Sequence, residues 1–245
     1  MRATDDLIAE YAARGASGLT VRGAGGDAVA VEEVLGRLEG GAGPAEASRA
    51  LGLDAVGLAA AIAADALGWE GELGPPLVRA RGRRARLAEA LDEARWAEVA
   101  PGSSRPARLS LCAGLLQIQD HWDASHEAAQ EADDLGERDF ASYWHAIAHR
   151  REPDPGNAGY WIRRVGRHAL YPRLAAASRP LLREYPRVED AEALVAGGTW
   201  NASAFVALCG RARPGGELET LARRLQRLEM TMLLTSTARA AFASA

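Results

Sequence analysis

The sequence predicts an all-α chain, with a small helix-turn-helix-like N-terminal unit followed by an irregular helical-bundle domain. Three observations predict it. Apolar residues recur at helical spacing through most of the 245 residues, alternating apolar and polar runs are almost absent, and caps and breakers fall where helices need them. An apolar share of 48% and a charged share of 25% fit an ordinary globular protein. The helix-turn-helix-like unit spans residues 1–70, a linker with an amphipathic helix 71–105, and the helical domain 106–245.

The elements follow in order. A first helix runs from Thr4 to Arg14, with Thr4 as N-cap. The Gly-rich turn GASGLTVRGAGGD holds at most one short strand, at Leu19 to Arg22. Asp27 opens a second helix, AVAVEEVLGRLEGG, which ends in glycines as helices commonly do. Pro44 then stands at a first helical position, Gly52 breaks the run and Asp54 restarts it. Residues 27–67 resemble the small helix-turn-helix modules of antitoxin-like proteins. As a DNA reader the unit is poorly equipped: its second helix, DAVGLAAAIAADAL, carries no Arg, Lys, Asn or Gln to reach base edges. Its two aspartates would repel phosphates. A packing or protein-contact role suits it better.

The Gly- and Pro-rich stretch GWEGELGPPLV, residues 68–78, reads as a boundary. Arg79, Arg81, Arg83, Arg84 and Arg86 follow, as a solvated basic edge running into an amphipathic helix or as an anion-binding edge. PGSSRPA, from Pro101, is a second loop. LSLCAGLLQIQDHWDASHEAAQEADDL and FASYWHAIAHRRE are helices, and Pro153 ends the latter. Asn157 caps a third helix, AGYWIRRVGRHAL. Near the C-terminus GTWNASAFVALC begins a helix at Asn201 or Ser203, with Trp200 as a packing residue. GGELETLARRLQRLEMTMLLTSTARAAF forms an amphipathic helix whose leucine stripe packs onto the domain or onto a second copy in a homodimer.

Composition excludes several functions. All 29 basic residues are Arg, and the net charge of −4 gives no global attraction to nucleic acid or anionic membrane. Cys112 and Cys209 are isolated, without CxxC spacing, so neither a disulfide framework nor a cysteine zinc site is expected. The start, MRATDDLIAEYAARG, has acids where a signal peptide needs bases. No apolar run approaches the roughly 18 to 20 residues of a spanning helix. The expectation is a cytoplasmic protein with no membrane partner and no nucleic acid.

The chemistry gathers in one region. All five histidines lie between residues 121 and 168. At about 100° per residue, Asp123, His126, Glu127 and Gln130 share one arc of their helix, with Trp122 at its border. His145 and His149 stand one above the other at i and i+4. Three helices joined by short connections can bring together His126 with Glu127, His145 with His149, and Trp161 with Arg164. Four readings stay open. His126, His145 and His149, with Glu127 or Asp123, suit a divalent metal with an open position, although the HExxH signature is missing. The same His and Glu residues can form a metal-free catalytic pocket in which Arg150, Arg151, Arg163 and Arg164 clamp an anion. A site without chemistry can bind a small anionic ligand through Trp122, Asp123, Arg150, Arg151, Asn157, Tyr160, Trp161 and Arg164. A polar structural core would pair Arg150 and Arg151 with Glu152 and Asp154.

HWDASHEAAQ followed by YWHAIAHRREPDPGNAGYWIRRVGRH resembles a family of uncharacterised bacterial and fungal proteins with the motifs HWD, HE, HRREPD, NA, YW and RRVG. The resemblance covers 121–168 and implies that His121, Arg163 and His168 also belong to the motif. It implies no reaction. A fainter similarity joins the chain to small helical proteins that carry an HE helix. The leading expectation is a polar pocket for a small anionic molecule, with metal-assisted hydrolysis where a divalent metal binds. The alternative is a regulatory or protein-interaction module built on the N-terminal unit.

Overall fold

The computed structural model describes residues 6–16, 18–68, 72–185 and 192–243. Asp6 caps the first helix, α1 (Leu7–Tyr11), by accepting the Ala9 N–H at 2.9 Å. The proposed cap Thr4 lies outside the described residues. The predicted helix to Arg14 is cut short because the chain leaves it as strand β1 (Ala12–Gly15). That strand pairs with β2 (Gly18–Arg22), which pairs with β3 (Ala28–Ala30), an antiparallel meander in the order β1-β2-β3. The fold is therefore mostly helical but not all-α. β2 stands at the one short strand expected, Leu19 to Arg22. β1 and β3 escape a periodicity search because only Ala12 and Val21, partners across the first pair, have buried side chains in the sheet.

β3 uses residues 28–30, so α2 (Val31–Glu39) starts later than Asp27 suggests. Its Val31, Val34, Leu35 and Leu38 form one buried stripe at helical spacing. Pro44 opens α3 (Pro44–Leu51), which ends at Gly52 in the left-handed region, φ 63°. Asp54 restarts the chain as α4 (Ala55–Leu67), accepting the Gly57 N–H at 2.7 Å. The two helices bend by 101°, as a helix-turn-helix requires. α4, in the recognition-helix position, is nonetheless a core element: Leu58 to Ala64 are all buried, and α1, α2, α13 (Glu217–Phe242) and β2 pack around it. Its apolar residues have no groove to enter.

The basic segment after the Pro loop forms two short helices, α5 (Leu87–Ala90) and α6 (Glu93–Ala97), where one amphipathic helix was expected. Asp92 recaps the chain between them through the Ala94 N–H. The basic run is not simply solvated. Arg84, at φ 48°, bonds Glu32 at 2.7 Å, Glu39 at 2.9 Å and Asp65 at 3.1 Å, tying the segment to α2 and α4.

The single helix expected over 109–135 is a hairpin of α7 (Arg105–Ile118) and α8 (Trp122–Asp134). Asp120 breaks it at φ 62°. The buried ion pair from Arg151 to the Asp120 carboxylate, 2.5 Å, holds that uncommon backbone in place. Helices α9 (Phe140–Arg151), α10 (Pro155–Val165), α11 (Tyr171–Glu184) and α12 (Ala202–Arg211) follow. On α7, Gly114 admits the indole of Trp144 so closely that a Cβ there would sit 2.7 Å from the ring. The last helix, α13, has Leu225, Met230, Leu233 and Leu234 buried within this chain. One continuous core joins residues from Leu7 to Ala241. Among the described residues no single helix is long and apolar enough to cross a membrane.

Candidate metal centre

Three helices supply the site. Glu137 secures the start of α9 by accepting the N–H groups of Phe140 at 3.1 Å and Ala141 at 2.7 Å. The i,i+4 spacing on α9 then stacks His145 and His149, with ring centroids 5.0 Å apart and planes 18° from parallel. α8 presents His126 edge-on to both, 4.2 Å from His145 and 5.1 Å from His149. α10 closes the far side with Trp161, stacked on His145 at 3.8 Å. Trp122 closes the near side, stacked on His126 at 5.0 Å and fixed by donating its indole N–H to the Ala148 carbonyl at 2.8 Å.

One ligating nitrogen from each of His126, His145 and His149 lies within 4.8 Å of the others. His145 and His149 are buried, and His126 is half-buried. The Nδ1 of His145 is buried without a hydrogen-bond partner, which costs about 1–3 kcal/mol in a dry site. His149 Nδ1 faces the Glu152 carboxylate at 3.0 Å. Burial, reinforced by the two neighbouring imidazoles, pushes the His145 pKa down to about 3. Burial also lowers that of His126. Both rings are therefore neutral near pH 7, the form in which imidazole ligates a metal.

A second group, His149, Glu152 and Asp154, also has its donor atoms within 4.8 Å of one another. Asp154, not Asn157 as expected, caps α10: it accepts the Asn157 N–H at 3.0 Å and the Asn157 side-chain amide at 2.8 Å, Asn157 lying in the helix's first turn. Both residues are thereby committed to a helix end.

The remaining predicted residues are dispersed. Glu127 is exposed and lines a separate groove with Asp92, Arg105 and Glu131, away from the three histidines. Asp123 is exposed, 3.8 Å from Arg79. Tyr160 is half exposed and packs edge-on against Trp161. Arg164 grips Asp133 through two bonds, at 2.8 and 2.5 Å. That contact, with the Ser142 hydroxyl, draws the Asp133 pKa down against its burial.

Arg150 and Arg151 are buried and paired, but with other acids than Glu152 and Asp154. Arg150 meets Glu229 of α13 at 2.6 Å and lies over the Phe205 ring. Arg151 meets Asp120 and donates to the Gln117 carbonyl at 2.9 Å. Neither is free to clamp a ligand.

Two members take roles other than those the sequence suggested. Glu152, expected to pair with Arg150 and Arg151, faces His149 instead. Arg79, read as part of a solvated or anion-binding basic edge, has its guanidinium 4.4 Å above the Trp122 ring. Arg79 and Arg81 border an open cleft of about 580 Å³ that Trp122 and His121 also line. No protein-family model, curated protein or solved structure matches the chain.

Proposed function

We propose that His126, His145 and His149 hold a divalent metal ion, and that the chain uses it to hydrolyse a small anionic molecule. The observation that carries this reading is the convergence of three imidazole nitrogens within 4.8 Å, one ring having a buried and unpaired Nδ1. A cation would satisfy a polar atom that the fold otherwise leaves at a cost. Neutral imidazoles with one outer carboxylate suit zinc foremost, and iron, nickel or manganese to different degrees.

Such an ion supplies Lewis acidity and a site for water activation, with three protein ligands leaving a position open. The chain's own residues do the rest. Glu152 accepts from the Nδ1–H of His149, which fixes the tautomer and turns the lone pair of Nε2 outward. Trp122 and Trp161 wall the histidines on two sides and exclude bulk water. The cations Arg79 and Arg81, beside Trp122, give the anionic group of a substrate a place to rest.

The test is elemental analysis by mass spectrometry on untagged protein prepared without chelator, beside a His145→Ala, His149→Ala double variant. Near-stoichiometric metal in the parent, lost in the variant, is expected and would justify a screen of anionic esters. A parent that stays empty after reloading with Zn²⁺, Mn²⁺, Fe²⁺ and Ni²⁺ in turn overturns the reading.

One observation favours a second reading. The run Trp122, His126, His145, Trp161 is a continuous chain of aromatic contacts, stacked at both ends and edge-on between the two histidines, in which neutral imidazoles serve as rings. On that reading the cluster is structural and the fold loses nothing when a ring without nitrogen replaces one of them.

A further inference from the structure

A groove of about 620 Å³ runs between α8 and the short helices α5 and α6, with α7 beneath it. On α8, Ala124, Glu127, Ala128 and Glu131 line it at spacings of three and four, the stripe that one side of a helix presents. Glu89, Asp92 and Glu93 stand on the opposite wall, and Leu109 and Leu116 of α7 close the bottom. Five acids therefore line the groove against two cations, Arg95 and Arg105.

The chain itself shows what this lining accepts. Arg105 spans the groove, bonding Glu93 on one wall at 3.2 Å and Glu131 on the other. One turn earlier on α8, Glu127 has no such bridge. Glu127 and Glu89 are exposed, and neither has an ion-pair partner among the described residues.

α11 carries the complementary surface. It buries Tyr171, Leu174, Ala175 and Ser178 and turns Arg173, Ala176, Ala177, Arg179, Pro180 and Arg183 outward. At about 100° per residue, Ala176 and Pro180 form a low ridge, with Arg179 and Arg183 along one flank and Arg173 along the other. Arg179 and Arg183 have no ion-pair partner among the described residues, while Arg173 reaches the Ser236 hydroxyl at 3.5 Å. Glu184, the acid at the end of the helix, is held by Arg224. The outer face thus offers three cations around small apolar residues, and the groove has three acids more than cations around an apolar bottom. Alanines on both surfaces let two helices approach closely.

We propose that the partner of this groove is a second copy of the chain, whose α11 seats there with Arg179 and Arg183 against Glu127 and Glu89. The mode is a helix laid in a groove. Each copy offers both surfaces, so reciprocal exchange about a two-fold axis closes the assembly as a dimer. Its charged rim makes the contact salt-sensitive and exchangeable rather than obligate. The contact does not involve the three histidines and stands whether or not they hold metal.

Sedimentation equilibrium of the full chain at low salt tests it. The parent's average mass should rise with concentration above that of one chain, and should fall back in about 0.5 M salt. Two double variants, Arg179→Glu with Arg183→Glu and Glu89→Arg with Glu127→Arg, should each weaken association more than about tenfold, because like charges then face each other. All four positions are exposed, so folding is not at stake. Mixing the two variants should restore association. So should all four changes in one chain, where a change of −4 and one of +4 return the net charge to the parent's −4. A parent that stays monomeric, a double variant that associates as the parent does, or a mixture and a fourfold variant that stay apart would each overturn the proposal.

Discussion

Residues 149 to 151 run His-Arg-Arg along one helix, and the two parts of that run are built in opposite ways. Arg150 and Arg151 turn into the core and each meets a buried carboxylate, Glu229 at 2.6 Å and Asp120 at 2.5 Å. The Tyr143 hydroxyl adds a bond to Glu229 at 2.9 Å. The histidine side has no buried counter-charge, only the partly exposed Glu152 carboxylate at its edge, 3.0 Å from His149 Nδ1. His145 is kept neutral by burial, and its Nδ1 is left open. The arginine face also leaves a buried donor unpaired, the Arg150 Nε–H, but its charges are matched and its orphan is not a ligating atom. The contrast teaches that burial alone does not mark a site, whereas burial with unsatisfied ligating atoms does.

The largest expected effect lies on the arginine face. Arg150→Leu strands the Glu229 carboxylate in the core and should cost about 3–5 kcal/mol, read as a shifted urea midpoint. Adding Glu229→Leu should recover most of that loss, because an apolar pair has no charge to leave unmatched. A single variant costing under about 1 kcal/mol would mean the pair is not closed as described.

On the histidine face the handle is pH. Below about 6.5 the unfolded chain takes up a proton at His145, while the folded ring resists until about pH 3. The unfolded state then binds more protons, so stability falls on acidification through that window and is unaffected by this group above it. Metal-free protein should lose ~3 kcal/mol by pH 4 from His145, with His126 and His168 pulling in the same direction. Denaturation curves at pH 7, 6, 5 and 4 check it; a flat profile would put the ring in water.

Glu152→Gln tests the orienting carboxylate. It should weaken metal affinity 10- to 100-fold in a competition titration. Glu152 is partly exposed, so the melting temperature of the metal-free protein should scarcely move. Lost stability with unchanged metal affinity would make Glu152 a structural partner of His149 and no more.

What could be read in advance follows the range of the interactions. The Pro44 start, the Gly52 break, the Asp54 and Asn201 caps and the His145/His149 pairing are local, and each stands where its spacing placed it. Of the sheet only β2 was legible, as the short strand at Leu19 to Arg22; β1 and β3 were not, because they are four and three residues of mostly small side chains. The break at Asp120 was not legible either, since a non-glycine residue at positive φ depends on a partner 31 positions away. The partners of Arg150 and Arg151 are long-range for the same reason, and the nearest acids in sequence were the wrong ones. Glu127 failed differently: it shares an arc with His126, but an arc is wide enough to span two neighbouring surfaces.

The smallest effect is the one that separates the two accounts of the histidines. His145→Phe keeps a flat ring against Trp161 and removes both nitrogens. If the cluster is an aromatic core, the change removes a buried unpaired atom and conserves shape, so metal-free stability should stay within about 1.5 kcal/mol or rise. A metal site makes the same prediction for the metal-free protein, since its unpaired nitrogen is a cost until an ion arrives. The two part company once metal is added. On the metal reading, Zn²⁺ raises the melting temperature of the parent through binding to the folded state, and leaves His145→Phe unmoved. On the core reading, neither protein responds. The acid sensitivity between pH 6.5 and 4 should shrink in the variant on either reading, leaving the part that His126 and His168 contribute.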